Sequence, residues 1–129
     1  MGVKFLSAAW AQAATDALSD HAGFSSAIEG VGLALQFEVL GLPDGADVSY
    51  YIKVANGVAA IKIGAVKKAD ISVTTDYTVA TAISKGRLNV QTAFFSGKLK
   101  VSGNFAKLML HQSALGHLAD AVSTLDIDY

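Results

Sequence analysis

The 129-residue sequence predicts a single α+β domain, residues 1–129, with helices covering one face of a mostly antiparallel sheet. Three observations predict it. Apolar residues keep a helical spacing at both ends of the chain, whereas residues 33–74 are dominated by alternation with period two. Turn signals separate the alternating stretches by only a few residues, which makes neighbouring strands antiparallel. Each stretch has one apolar face, so the helices have one face of the sheet to cover.

The elements follow in order. Ser7 is the expected N-cap of a first helix that carries Leu6, Trp10, Ala13, Ala17 and Leu18 on one face. Lys4, Phe5-Leu6 and Ala11-Gln12-Ala13 imitate parts of a signal peptide. Ser7 breaks that apolar stretch, and an amphipathic helix accounts for it better. Gly23 marks a break, and Phe24 to Glu29 form a short second helix closed by Gly30-Val31-Gly32. Leu33, Leu35, Phe37 and Val39 are the inward face of a first strand. Pro43 and Gly45 make a turn, and Val48, Tyr50, Ile52 and Val54 face inward from a second strand. Asn56-Gly57 is the strongest hairpin signal in the chain, because a type I′ turn needs positive φ twice. Val58 to Ile63 and Asp70 to Thr74 are the third and fourth strands.

The second half turns helical. Thr75 or Asp76 caps a helix ending near Gly86, with Tyr77, Ala80 and Ile83 on one face. Asn89 caps a short helix through Phe94-Phe95 that stops at Gly97. Lys98 to Ser102 form a late strand with Leu99 and Val101 inward. Gly103-Asn104 open a helix carrying Phe105, Leu108 and Met109, and a further helix spans about 115–123. Leu125 to Tyr129 have no clear assignment.

Composition narrows the function. The chain is 52% hydrophobic and 16% charged, against about 25% charged in average domains. That suits a ligand cavity or an oligomer interface. The net charge of −1, with no basic cluster beyond Lys67-Lys68 and Lys98-Leu99-Lys100, argues against a nucleic-acid partner. No apolar run approaches the ~18–20 residues that span a membrane, so stable membrane insertion is not expected. The absence of cysteine excludes disulfide and cysteine–zinc frameworks and permits a reducing, cytoplasmic setting.

Motifs for catalysis are scarce. Gly30-Val31-Gly32 begins a dinucleotide fingerprint, but Leu35 stands where the third glycine belongs, and a strand follows instead of a helix. His111 and His117 lie six apart, not at the i, i+4 spacing of helix-borne metal ligands, and His21 falls in a loop. Asp44, Asp70 and Asp76 sit at turns or caps. No metal, cofactor or catalytic residue is assigned, and the chain is not expected to be an enzyme.

Three segments carry a family pattern: Ala69-Asp70-Ile71-Ser72-Val73, Ile83-Ser84-Lys85-Gly86-Arg87-Leu88-Asn89, and Gln91 through Asn104. The most specific part is Ala93-Phe94-Phe95-Ser96-Gly97-Lys98-Leu99-Lys100-Val101. Together with Phe5-Leu6-Ser7, Trp10, Leu35-Gln36-Phe37-Glu38-Val39 and Val48-Ser49-Tyr50-Tyr51, the chain resembles the sterol-carrier-protein-2 family, and its stand-alone prokaryotic members in particular. The resemblance implies a five-stranded, mostly antiparallel sheet backed by helices, with an apolar tunnel between the layers. It also implies a carrier of fatty acids, fatty acyl-CoA, sterols or similar lipids. Val90 replaces a proline common at that position. The terminal Ile127-Asp128-Tyr129 differs from the Ser-Lys-Leu address of eukaryotic members.

On this reading the tunnel is lined by Phe37, Tyr50, Ile52, Ile61 and Val73 from strands. Helices add Ile83, Phe94, Phe95, Phe105, Leu108 and Met109, and Gln91 and Gln112 offer polar contacts near its ends. Phe94 and Phe95 are adjacent on a helix, so one packs while the other lines the tunnel. The alternatives are a homodimer or accessory subunit of a partner enzyme with a closed cavity, and an enzyme acting on an apolar substrate.

Overall fold

The computed structural model describes residues 2–85, 87–88, 90–122 and 125–129. The elements are β1 (Val3–Lys4), α1 (Ala8–Asp20), α2 (Ala22–Ala27), β2 (Leu33–Leu40), β3 (Val48–Ala55), β4 (Val58–Ile63), β5 (Ile71–Asp76), α3 (Tyr77–Ser84), α4 (Val90–Phe95), β6 (Lys100–Gly103), α5 (Phe105–Leu110), α6 (Gln112–Val122) and β7 (Ile127–Asp128). Five strands form one sheet in the order β4-β3-β2-β5-β6. Its pairs are antiparallel except β2 with β5, which run parallel. The expected α+β architecture is therefore present, as a mixed sheet.

Local chemistry explains most boundaries. The Ser7 hydroxyl accepts the Trp10 amide at 3.1 Å, as an N-cap should. Asn56 and Gly57 have φ of 55° and 74°, the two positive values the hairpin between β3 and β4 requires. Asp76 caps α3 by accepting the Val79 amide at 2.8 Å. Asn104 does the same for Lys107 at the start of α5. The expected helix stop at Gly86 and cap at Asn89 lie outside the described residues.

Three readings need correction. The break after α1 falls at His21 and not at Gly23, which lies inside α2. The His21 Nδ1 accepts the Phe24 amide at 2.9 Å and so caps α2 with an imidazole in place of a hydroxyl. The buried face of α1 is Trp10, Ala11, Ala14 and Leu18, with Ala13 and Ala17 only half-buried. Leu6 is buried from outside the helix, at φ 64°, so it does not set the helical phase. The tail left unassigned from sequence pairs with the start of the chain, expected from sequence to belong with the first helix, as a two-stranded parallel ribbon, Val3 with Ile127 and Lys4 with Asp128.

Two side chains fasten helix and connection to the sheet. On α1, Thr15 accepts the Ile61 amide at 2.9 Å, which satisfies a ladder donor on the exposed edge of β4. From β2, Gln36 donates to the carbonyls of Tyr50 and Gly64 at 3.0 and 3.1 Å and accepts the Val66 amide at 2.8 Å. It thereby holds the segment that crosses from β4 to β5.

Asp70 closes the crossover. Its amide donates to the Ala34 carbonyl at 2.8 Å, and its carboxylate accepts the Ala34 amide at 2.7 Å. Its carbonyl accepts the Asn104 amide, and Lys107 of α5 reaches its carboxylate at 3.1 Å. Partial burial pushes the Asp70 carboxyl up, but the Ala34 amide and Lys107 outweigh this and hold it below the usual carboxylate range. Gly103 lies against this knot with φ of 116°, and a side chain there would collide with the Asp70 carbonyl.

Asp70→Ala is expected to cost about 1–2 kcal/mol at neutral pH, read as a lower urea midpoint. A depressed carboxyl contributes fully above its unfolded value near 4 and loses that contribution as pH falls through the folded value. The gap between wild type and variant should therefore be constant from about pH 5 to 7 and shrink below about pH 4. Gly103→Ala should cost more, about 2–4 kcal/mol, because strain at positive φ adds to a backbone collision. A thermal melt checks it.

Candidate functional site: an apolar seam between two cores

The buried side chains fall into two clusters. The larger gathers Phe5, Leu6, Trp10, Leu18, Phe24, Ile28, Leu35, Val39, Ile52, Ile61 and Ile71, among others, from the N-terminal helices and β2–β5. The smaller is Val79, Ala93 and Leu99, with Ile83 and Leu88 half-buried against it. Val73 and Val101 pack against both. Helix α3 straddles the division: Tyr77 and Ala80 meet the larger cluster, Val79 and Ile83 the smaller.

A run of rings extends through the larger cluster. Phe37 stacks on Tyr50, with centroids 4.7 Å apart and planes 5° from parallel. Tyr50 meets Trp10 edge-on at 5.1 Å, Trp10 meets Phe5 at 5.4 Å, and Phe5 meets Tyr77 and Tyr129. Such contacts are favourable beyond the area they bury. Burial pushes the Tyr50 phenol well above the usual tyrosine range, so it stays neutral. Among the described residues no charged side chain is buried. The Thr81 hydroxyl on α3 is buried and makes no hydrogen bond among them.

The expected lining residues separate into three groups. Ile52 and Ile61 are fully packed core, not free lining. Phe37 and Tyr50 are half-buried against the larger cluster, Ile83 against the smaller, and Val73 against both. Phe94, Phe95, Phe105 and Met109, expected to face inward, are exposed, with Phe95 at 83% and Met109 at 62%. Helices α4 and α5 have six residues each, and their apolar positions outnumber the inward-facing ones. The side chains of Gln91, Leu108 and Gln112 lie outside the described part. Both rings of the Phe94-Phe95 pair are exposed, so the expected division of labour between them does not hold.

Concavities among the described residues include the following two. One, of about 130 Å³, lies between α1, α2 and the β3–β4 hairpin, and is lined by Leu18, Phe24, Ile28 and Val58. The other is an open groove of about 510 Å³ beside α1, with Ala13, Ala17, Ala121 and Leu125 at its floor and Asp16, Asp20 and His21 on its rim. Neither touches a residue expected to line a tunnel. Next to the groove, His21, His117 and Asp120 bring ligand atoms within 4.8 Å of one another. Sequence spacing could not show this, since His21 comes from another helix. The His21 Nδ1 lone pair is taken by the Phe24 amide, so its Nε2 carries the ring proton and is not a ready metal donor. His117 and Asp120 then remain as a two-ligand set.

The chain is thus a small α+β shell whose buried side chains fall into two clusters, with no buried charged side chain among the described residues. The chain belongs to the SCP-2 sterol transfer family, whose model matches residues 10–116. It is 35% identical over 86 residues to a Gallus gallus protein named sterol carrier protein 2; the matched segment covers 67% of this chain and 16% of that protein. In structure it is similar to a protein from Thermus thermophilus described as possibly a sterol carrier protein. The TM-score is 0.82 at 21% identity, covering 98% of this chain and 93% of the other. A crystal structure of sterol carrier protein 2 aligns with a TM-score of 0.81 at 22% identity, covering 95% of this chain and 100% of the other. The fold also occurs inside an enzyme: a sec-alkylsulfatase from Pseudomonas sp. aligns over 79% of this chain and 14% of its own, with a TM-score of 0.51.

Thr81→Val is expected to raise stability by about 1 kcal/mol, because it replaces an unpaired buried hydroxyl with a methyl group of the same shape. Differential scanning calorimetry should show a higher Tm. A lower one would mean that the hydroxyl has a partner in solution.

Proposed function

We propose that the protein binds and carries an elongated apolar molecule, such as a fatty acid, a fatty acyl-CoA or a sterol, in the seam between its two cores, without catalysis. The observation that carries this reading is the half-buried row Tyr50, Phe37, Val73 and Val101, paired across β3, β2, β5 and β6, whose Val73 and Val101 pack against both buried clusters. A domain's core is usually one contiguous cluster with smaller satellites beside it, and here the satellite meets the main core at Val73 and Val101. A divided one can open along its seam and replace side-chain contacts with contacts to a ligand.

The energetics suit a tolerant carrier. Each methylene removed from water contributes about 0.8 kcal/mol, so a dozen give roughly 10 kcal/mol. Association and chain ordering oppose about 4 kcal/mol or more of that and leave affinities of about tens of micromolar or weaker. With no buried charge in the seam, selection rests on length and width more than on headgroup. The neutral Tyr50 phenol and the Thr81 hydroxyl are the nearest polar candidates to receive one.

Native mass spectrometry of the purified protein, followed by solvent extraction, tests the reading. A co-purified lipid near one per chain is the expected result. In a fluorescent fatty-acid titration, Phe37→Ala and Ile83→Ala should each weaken uptake about tenfold, the equivalent of nearly two methylenes of contact. Apo protein that takes up no fatty acid would favour an accessory subunit with a permanently closed core.

A further inference from the structure

The exposed apolar surface and the charge distribution coincide in one stretch of chain. Residues 77–119 contain Lys85, Arg87, Lys98, Lys100 and Lys107 and not one aspartate or glutamate. The rest of the chain carries the other five basic residues and all eleven acidic ones. A protein of net charge −1 is therefore split into a part at +5 and a part at −6. Within the positive part, α4 and α5 present Phe95, Met109 and Leu110 to solvent, with Leu110 at 77% exposure. The rings of Phe94 and Phe105 approach to 6.3 Å, which brings the two helices' apolar surfaces together. Lys107 is held by Asp70, and Lys85 lies over the Tyr129 ring. Arg87, Lys98 and Lys100 are exposed.

Large exposed apolar side chains on short helices, flanked by uncompensated basic residues, combine the two attractions that hold a protein at an anionic bilayer. Apolar side chains enter the headgroup boundary, and basic ones are drawn to the surface over a Debye length of about 10 Å. A second copy of this chain fits poorly, because a two-fold contact would set the positive face against itself. We propose that the α4–α5 face is a docking surface for anionic lipid bilayers, with Phe95, Met109 and Leu110 entering the interface and Lys98 and Lys100 reading its charge. The choice of a bilayer over a protein partner rests in part on the carrier reading, so docking and ligand uptake are measured separately.

The test is flotation of the full-length chain with phosphatidylcholine vesicles, with and without about 30% phosphatidylglycerol. Phe95→Trp serves as an emission probe; Trp10 is buried and should stay silent. Binding to the anionic vesicles with a blue-shifted Phe95→Trp signal is expected. Raising salt from about 0.05 to 0.5 M should weaken it about tenfold or more. Leu110→Ser and the pair Lys98→Gln, Lys100→Gln should each weaken it about tenfold, with unchanged circular dichroism and unchanged fatty-acid uptake without vesicles. Uptake lost while vesicle binding persists would leave the docking surface standing and remove the carrier reading. Normal uptake without binding to anionic vesicles would overturn the docking surface. So would binding indifferent to both sets of substitutions, or a blue shift from self-association without lipid.

Discussion

The fold depends on placing β5 parallel to β2 in the middle of an otherwise antiparallel sheet. Hairpins place β3 and β4 by chain proximity alone, but β5 arrives from a crossover and must be held in register. Asp70 does this at the strand's first turn. It pairs with both the donor and the acceptor of Ala34, takes the amide of Asn104, and takes the ammonium of Lys107. Gln36 supports it from the other side by fixing the crossing segment to β2. With β5 in place, β6 can pair beside it and α5 can start, so the second half of the protein takes its position from one carboxylate and one amide.

That arrangement also accounts for the divided core. The N-terminal helices pack on the β2–β4 side, whereas α3 and α4 pack on the β5–β6 side, with Val73 and Val101 between. Two packing units share one sheet, and their common boundary is lined by side chains that neither buries fully. The chain belongs to the SCP-2 sterol transfer family, and no charged side chain is buried among the described residues. The exposed α4–α5 surface belongs to the half of the molecule that carries the smaller cluster.

The pattern of strands was legible because alternation and hairpin chemistry are local: Asn56-Gly57, the inward row Leu33, Leu35 and Val39, and the caps Ser7 and Asp76 all behave as their neighbours dictate. Of the residues expected to line a tunnel, Tyr50, Phe37 and Val73 sit side by side across β3, β2 and β5, because strand periodicity places them on one face, whereas Ile83 packs with the smaller cluster. The errors share a cause. On six-residue helices the phase of α4 and α5 is set by what they pack against, so Phe94, Phe95, Phe105 and Met109 could not be oriented from their own spacing. The His21 cap was missed because an imidazole does a job usually assigned to hydroxyl and carboxylate side chains.

The sequence by itself determined the α+β class, the five strands of the main sheet, the turns, the family and the apolar nature of the ligand expected, since these follow from period, composition and local backbone preference. Tertiary structure alone decided which acidic residue organises the sheet, where the core divides, which histidines meet, and which aromatic residues face water. Each of those depends on contacts between residues tens of positions apart, as Ala34 and Asp70 are, and no local pattern encodes the distance between them.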